Sequence, residues 1–464
     1  MFGPRHLESS CLPMQVFAAL LLCLLSARSW AVPSYARQTG LACSACHTVF
    51  PELTPFGREF KINGYVLDNM PQVTGIDTSD RQTLALNAMA PLSLMLQVSY
   101  THTGAPLPDS AVSGALAKDG EVLFPQQASL FYAGKIADGL GSFVQLTYDG
   151  AADHFGIDNT DLRYARHLTF GGANQNDHSV TLGVTLNNNP TVQDPWNTTP
   201  AWGFPYSGSS VAPGQIASTQ IDGRLAQSVA GLGVYAWLDQ HLYAEVTGYT
   251  AAAVGGSHPL DSTQGNVVHG VSPYWRLTYE QRWNTSSLSI GTYGLQTRVQ
   301  PGSGTPLQGP TDQYTDVAAD LQYQYIGEDH LATLVATYIH ESQTLEASVA
   351  DKFAANSSNN LKTFRMTAEY MYQRRIGGAL GYFSTTGSSD MLLYPATPVG
   401  GSVIGSPNTS GITAEVNYLP WLNTKLQLQY VRYQKFNGLT TNYDGAGRNA
   451  AGNDTLYLLL WVNF

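Results

Sequence analysis

Val317-Ala318-Ala319-Asp320-Leu321-Gln322-Tyr323-Gln324-Tyr325 is written in period two, with Val317, Ala319, Leu321, Tyr323 and Tyr325 on one face and Ala318, Asp320, Gln322 and Gln324 on the other. Successive side chains of a strand point to opposite faces, so one face of this segment meets an apolar medium and the other a polar one. The pattern recurs on both sides. Leu92, Leu94, Leu96, Val98 and Tyr100 form an apolar face. Phe364, Met366, Ala368, Tyr370 and Tyr372 alternate with Thr363, Arg365, Thr367, Glu369 and Gln373; Ile412, Ala414, Val416 and Tyr418 alternate with Thr413, Glu415 and Asn417.

A soluble sandwich alternates as well, so connection length has to separate the two. Short connections at 136–139, 239–240, 284–285, 327–329, 375–377 and 419–422 are interleaved with long ones near 102–120, 189–228, 251–269, 299–312, 343–359, 388–410 and 437–452. Tight periplasmic turns and long outer loops have that rhythm, which predicts an antiparallel, porin-like transmembrane β-barrel of about sixteen strands. The chain end agrees. Leu456, Leu458, Leu460, Val462 and the terminal Phe464 share a face, resembling the closing strand of bacterial outer-membrane barrels. The opposite face, Tyr457, Leu459, Trp461 and Asn463, is not strictly polar.

Composition fits a barrel with a polar lumen: 26 tyrosines, only 12% charged residues, and a polar bulk of Gly, Ser, Thr, Asn and Gln. Near the N-terminus, Arg5 precedes the apolar run from Val16 to Leu25, and Ser29-Trp30-Ala31 supplies small residues for a signal peptidase. Residues 1–31 are therefore expected to be a cleaved signal peptide. No other stretch of about 18 apolar residues suggests a transmembrane helix. The remaining chain carries 21 basic and 33 acidic side chains, which excludes nucleic acid as a partner and reads as solvation of outer loops.

The longest connection, 189–228, follows the fifth strand of this count and contains Pro195, Trp196, Pro200, Trp202, Phe204 and Tyr206. So many aromatics left in water would make an unusual apolar patch. The expectation is a loop folded into the lumen, as a constriction or a lid over something inside.

What lies inside is suggested by Cys43-Ser44-Ala45-Cys46-His47. Of four cysteines, Cys11 and Cys23 fall in the signal segment, leaving Cys43 and Cys46. A bare Cys-x-x-Cys also reads as a redox dithiol or half a zinc site, but there is no second cysteine pair and no βαβ pattern around it. With His47 adjacent, the motif points to one covalent haem c, held by thioethers to Cys43 and Cys46 with His47 as iron ligand. After it, Phe56 and Phe60 share one face of a short helix ending at Asn63-Gly64, with Arg58 and Lys61 elsewhere on its surface. Some fifty residues cannot enclose a macrocycle alone, so the haem needs walls from the rest of the chain.

Ala36-Arg37-Gln38-Thr39-Gly40 before the motif, and Pro51-Glu52-Leu53 with Phe56-Gly57-Arg58-Glu59-Phe60-Lys61-Ile62-Asn63-Gly64-Tyr65 after it, resemble the fused monohaem cytochrome-porins of the bacterial outer membrane, best known as iron-oxidising cytochromes. The resemblance implies a haem plugging or capping the barrel and electron transfer across the outer membrane. It divides the chain into 1–31 signal peptide, 32–80 haem-binding segment of short, mainly helical structure, and 81–464 barrel.

The expected function is electron transfer from extracellular ferrous iron, as an iron:cytochrome c oxidoreductase or a simple electron carrier, to a periplasmic c-type cytochrome or other soluble carrier. The alternative is a diffusion porin whose haem segment is a plug or sensor. Met70 is the candidate distal ligand, against an open or water-bound position; by parity Met89, Met95 and Met371 point into the lumen. Arg58 and Lys61 are candidate partners of the haem propionates, with plain solvation as the alternative. Asp149, Asp153, His154, Asp158 and Asp161, around one expected hairpin tip, could hold ferrous iron, though a solvated polar loop has the same composition.

Overall fold

The computed structural model describes residues 34–76, 82–108, 119–171, 178–199, 207–251, 267–301 and 310–464. The expected signal peptide lies outside them. Sixteen antiparallel strands form the wall. They are β1 (Leu92–Thr103), β2 (Val122–Ala137), β3 (Leu140–Asp149), β4 (His154–Phe170), β5 (His178–Asn187), β6 (Val229–Leu238), β7 (Leu242–Ala251) and β8 (Ser272–Arg282). The second half is β9 (Ser286–Gln300), β10 (Asp312–Ile326), β11 (His330–Thr344), β12 (Ser358–Tyr372), β13 (Ile376–Gly387), β14 (Thr409–Trp421), β15 (Thr424–Lys435) and β16 (Thr455–Asn463). A two-residue strand, Val267–Val268, adds to the outer part of β9.

Each strand pairs with its chain neighbours, and β16 closes on β1 from Thr455↔Thr103 to Asn463↔Met95. Closure removes the free edges that an open sheet would leave unpaired in lipid. Val317, Tyr323 and Tyr325 are exposed on the outside, while Ala318, Asp320, Gln322 and Gln324 are buried in the lumen. The same holds for Leu92 and Leu94 against Ser93, Met95 and Gln97. The period-two reading therefore assigns the faces correctly. No described helix is long and apolar enough to cross a membrane.

Loop rhythm is nearly as expected, with one exception: β3 and β4 meet at a four-residue tip, 150–153, at the long-loop end. The wall also starts later than residue 81. Gln72–Ile76 pairs with Gln82–Asn87 in a separate two-stranded hairpin, and β1 opens only at Leu92. Met89, in the bend between them, is exposed rather than luminal.

Two bodies fill the lumen. At the short-turn end sits a plug of α1 (Ser34–Thr39), α2 (Cys43–Cys46) and α3 (Pro55–Ile62). Above it lies the long loop between β5 and β6, whose residues 188–199 are buried throughout. Thr198 bonds Asp320 at 2.6 Å on β10, Ser207 bonds Gln427 at 2.7 Å on β15, Gln220 N–H donates to Glu341 at 2.6 Å on β11, and Arg365 on β12 pairs with Asp222. The loop is thus fastened across the bore.

Candidate functional site

The site is built from the plug outward. After α1, Gly40 adopts φ +72°, a left-handed turn that glycine takes at little steric cost, and the chain re-enters a helix at Cys43. His47 N–H closes α2 onto Cys43 O at 2.9 Å. Thr54 then caps α3: its Oγ1 accepts from Gly57 N–H at 3.1 Å and donates to Ala45 O at 2.6 Å, with Pro55 in the first turn. Gly57 has to be glycine. A Cβ there would lie 2.3 Å from Cys46 O, so α3 can rest on the cysteine helix only where no side chain intervenes.

His47 is held in one orientation. Its Nδ1 lies 3.2 Å from Glu52 O, so Nδ1–H donates to that carbonyl and leaves Nε2 free, the arrangement usual for a metal-binding imidazole. Burial lowers its pKa, against the pull of the Glu52 and Pro51 carbonyls, which keeps the ring neutral and able to ligate. Cys43 and Cys46 form no disulfide. Burial pushes the Cys43 thiol up and the Cys46 thiol up to about 11. A redox dithiol needs the opposite shift, so the protein environment does not favour thioredoxin-like chemistry.

Both cysteines and His47 line a cavity of about 1510 Å³, its open mouth included, at the short-turn end. Aromatics dominate the lining: Tyr35, Phe50, Phe56, Phe60 and Tyr65 from the plug face Phe131, Phe143 and Trp461 from the wall. A cofactor site is expected to be a large, mostly apolar concavity with a few placed polar groups. Two thiols, one oriented imidazole and an aromatic box fit a covalently attached haem.

The plug is bolted to the wall. Arg58, 1% exposed, donates to Glu280 at 3.1 Å through Nε and Nη2 and to Gln322 and Gln324 at 2.9 and 2.8 Å. It is therefore absent from the cavity lining, and its expected propionate role gives way to a clamp between α3 and β8 and β10. Lys61 does line the cavity, with its ammonium donating to Val192 O and to Asp194 O at 3.3 Å; burial pushes its pKa down to about 8. Met70 is buried beside Phe60 and Tyr65, and its Sδ accepts from Leu67 N–H at 3.3 Å. It is not among the cavity-lining residues, whereas Met95 is.

Further ties are Tyr65 Oη to Asp161 at 2.7 Å, Tyr235 Oη to Ile62 O at 2.6 Å and Thr333 Oγ1 to Glu52 Oε2 at 2.9 Å. Asp161 is thus deep in the lumen, and the acidic group expected at the β3–β4 tip is not gathered. Tyr35, Phe131, Phe143 and Trp461, and the orienting carbonyl of Glu52, are site features that sequence reasoning missed. One signal was present: the apolar luminal face of the last strand.

No protein-family model and no curated protein matches the chain. Solved structures similar to it include a loop L8 deletion mutant of OmpT from Vibrio cholerae (12% identity, 80% of this chain and 98% of that one, TM-score 0.42), the channel DcaP of Acinetobacter baumannii (10%, 80% and 96%, 0.43) and an anion-selective porin from Comamonas acidovorans (11%, 80% and 98%, 0.42). The fold itself is given by the strand pairing: this chain is a porin-like, sixteen-stranded β-barrel with a short helical N-terminal plug.

Proposed function

We propose that the chain is an outer-membrane electron-transfer protein of the cytochrome-porin kind, holding one haem c at the periplasmic mouth of its barrel. The observation that carries this is the convergence of Cys43, Cys46 and an imidazole with free Nε2 on one aromatic cavity. Haem, when bound, supplies a reversible one-electron iron couple. The chain's own residues supply the rest. Cys43 and Cys46 fix position, His47 supplies a neutral nitrogen, and the aromatic box limits water and lowers the local polarity, all of which tune such a couple. Lys61 places a cation at the cavity wall, held there by the Val192 and Asp194 carbonyls.

The cavity's place at the short-turn end means that a soluble periplasmic carrier can reach it without entering the barrel. Extracellular ferrous iron is the electron donor in this reading. The barrel wall gives the second reading, a diffusion porin whose plug is structural. A haem-stained denaturing gel tests attachment, and liposome conductance separates the two: an open large channel favours the porin, whereas a closed barrel whose haem is reduced from outside favours the conduit.

A further inference from the structure

We infer that Met95, on strand β1 of the barrel wall, is the distal ligand of the iron, so that the ligand pair is shared between plug and barrel. This rests on the haem reading above. The cavity has two sides. Cys43, Cys46 and His47 come from the plug, so a haem attached there turns one face to His47 and needs its other ligand from whatever else borders the cavity. Among the described residues contributed by the wall and the long loop, Met95 alone carries a thioether or an imidazole. The remaining heteroatoms there are the hydroxyl of Ser93, the amides of Asn197, Asn423 and Asn463, and the indole N–H of Trp461. Hydroxyl and amide oxygens are hard donors poorly matched to haem iron, and an indole N–H only donates.

The rival donors are occupied. Met70 gives its sulfur to Leu67 N–H at 3.3 Å and does not border the cavity. Lys61 is spent on Val192 and Asp194 carbonyls, and Tyr35 and Tyr65 donate to Ser142 O and to Asp161. Met371 shares the buried apolar cluster of Met95 but is not in the lining. Met95 is 3% exposed, packs in one cluster with Val49 and Phe50 just after His47, and sits opposite Asn463 in the closing register. Its sulfur has only a distant contact, Gln97 Nε2 at 4.0 Å, too weak to compete with a metal bond. A Met ligand raises the haem potential, which suits a protein that takes electrons from a weak reductant.

The test uses the full-length protein purified in detergent. Absence of covalent haem from the wild type on a stained denaturing gel would remove the haem reading itself. With haem present, wild-type ferric protein is expected to be low-spin by electron paramagnetic resonance. Met95→Ala should convert it to high-spin, lower the midpoint potential and speed carbon monoxide binding to the ferrous form. Met95→His, which keeps a ligating side chain of similar reach, should restore the low-spin signal at a potential below that of the wild type, and it covers the case in which the alanine variant misfolds. A high-spin wild type, an unchanged spectrum in both Met95 variants, or a spin change in Met70→Leu instead would overturn the assignment while leaving covalent haem in place.

Discussion

Strands β10 and β16 belong to one wall, yet their luminal faces differ. On β10 the bore is lined by Asp320, Gln322 and Gln324; on β16 by Tyr457, Leu459 and Trp461. The outward faces are alike, because the medium outside is alike. The inward faces differ because their neighbours differ: Trp461 meets Phe50 at 5.0 Å in an edge-to-face pair, whereas Gln322 and Gln324 accept from Arg58 and Asp320 from Arg276 and Thr198. A barrel strand with two apolar faces therefore reports a body packed inside the barrel, and here that body carries the cysteines.

The largest expected effect removes the reason for the apolar side. Cys43→Ala with Cys46→Ala should abolish haem staining on a denaturing gel completely, because thioethers survive denaturation and axial bonds do not, while the barrel remains heat-modifiable. A full-size stained band from the double variant would break the comparison at its root.

Next comes the polar side. Arg58→Ala leaves Glu280, fully buried, short of its main partner. Removing one member of a buried pair costs about 3–5 kcal/mol, and the lower figure is expected because Arg282 at 2.7 Å and Trp196 at 2.8 Å still hold the carboxylate. The urea midpoint at which the plug becomes cleavable by protease should fall accordingly. Arg58→Ala combined with Glu280→Gln should recover part of the loss, since no unpaired charge is then left.

Gly57→Ala is expected to cost about 1–3 kcal/mol and to lower the ratio of haem-stained to total protein. Alanine gains about 1 kcal/mol over glycine in a helix interior, but here its Cβ meets the Cys46 carbonyl at 2.3 Å, a backbone atom that cannot swing aside, so the clash decides the sign. A ratio equal to wild type would show that α3 does not set the position of Cys46.

These contacts mark what sequence shows and what it hides. Alternation tells which way Ala318, Gln322 or Met95 points, because strand geometry alone sets it. Turn and loop lengths place thirteen of the fifteen connections between sixteen strands, the two beside the strand His154–Phe170 being passed over, since a barrel needs little other information to order antiparallel neighbours. The pentapeptide beginning at Cys43 needs only local spacing. Partners are another matter. Arg58 finds Glu280 across 222 residues, and no periodicity carries that pairing. For the same reason the propionate role expected of Arg58 does not survive: a cation near the motif in sequence is turned away from it by a helix rotation that the pattern does not fix.

A smaller effect belongs to the seam. Phe464 donates to Leu94 O at 2.8 Å and accepts from Leu94 N–H at 2.7 Å, the last backbone pair between β16 and β1. Two net hydrogen bonds are worth about 1–3 kcal/mol, so deleting Phe464 should lower the yield of heat-modifiable barrel without altering the haem spectrum of what does fold. A changed spectrum would mean that this last pair also holds the neighbouring cavity residues Met95 and Asn463 in place.

The smallest effect is expected at the β3–β4 tip, and it bears on where the ferrous iron of the proposed function would meet the protein. Asp149 Oδ1 caps the turn through Ala151 N–H at 2.8 Å, Asp153 Oδ1 accepts from Tyr148 Oη at 2.7 Å, and Asp158 accepts from Thr147 at 3.1 Å and Gln227 at 2.6 Å. Asp161 is paired with Arg163 at 2.7 Å inside the lumen. Carboxylates spread along a hairpin and engaged by their own neighbours make a turn and a strand, and they do not converge on an ion. Asp153→Asn with His154→Gln should therefore change the stopped-flow rate of haem reduction by ferrous iron by less than about twofold, the scale of an ordinary surface substitution on a loop. A tenfold loss would locate electron entry on the rim. An unchanged rate leaves the polar half of the bore, where β10 and the long loop meet, as the region to mutate next.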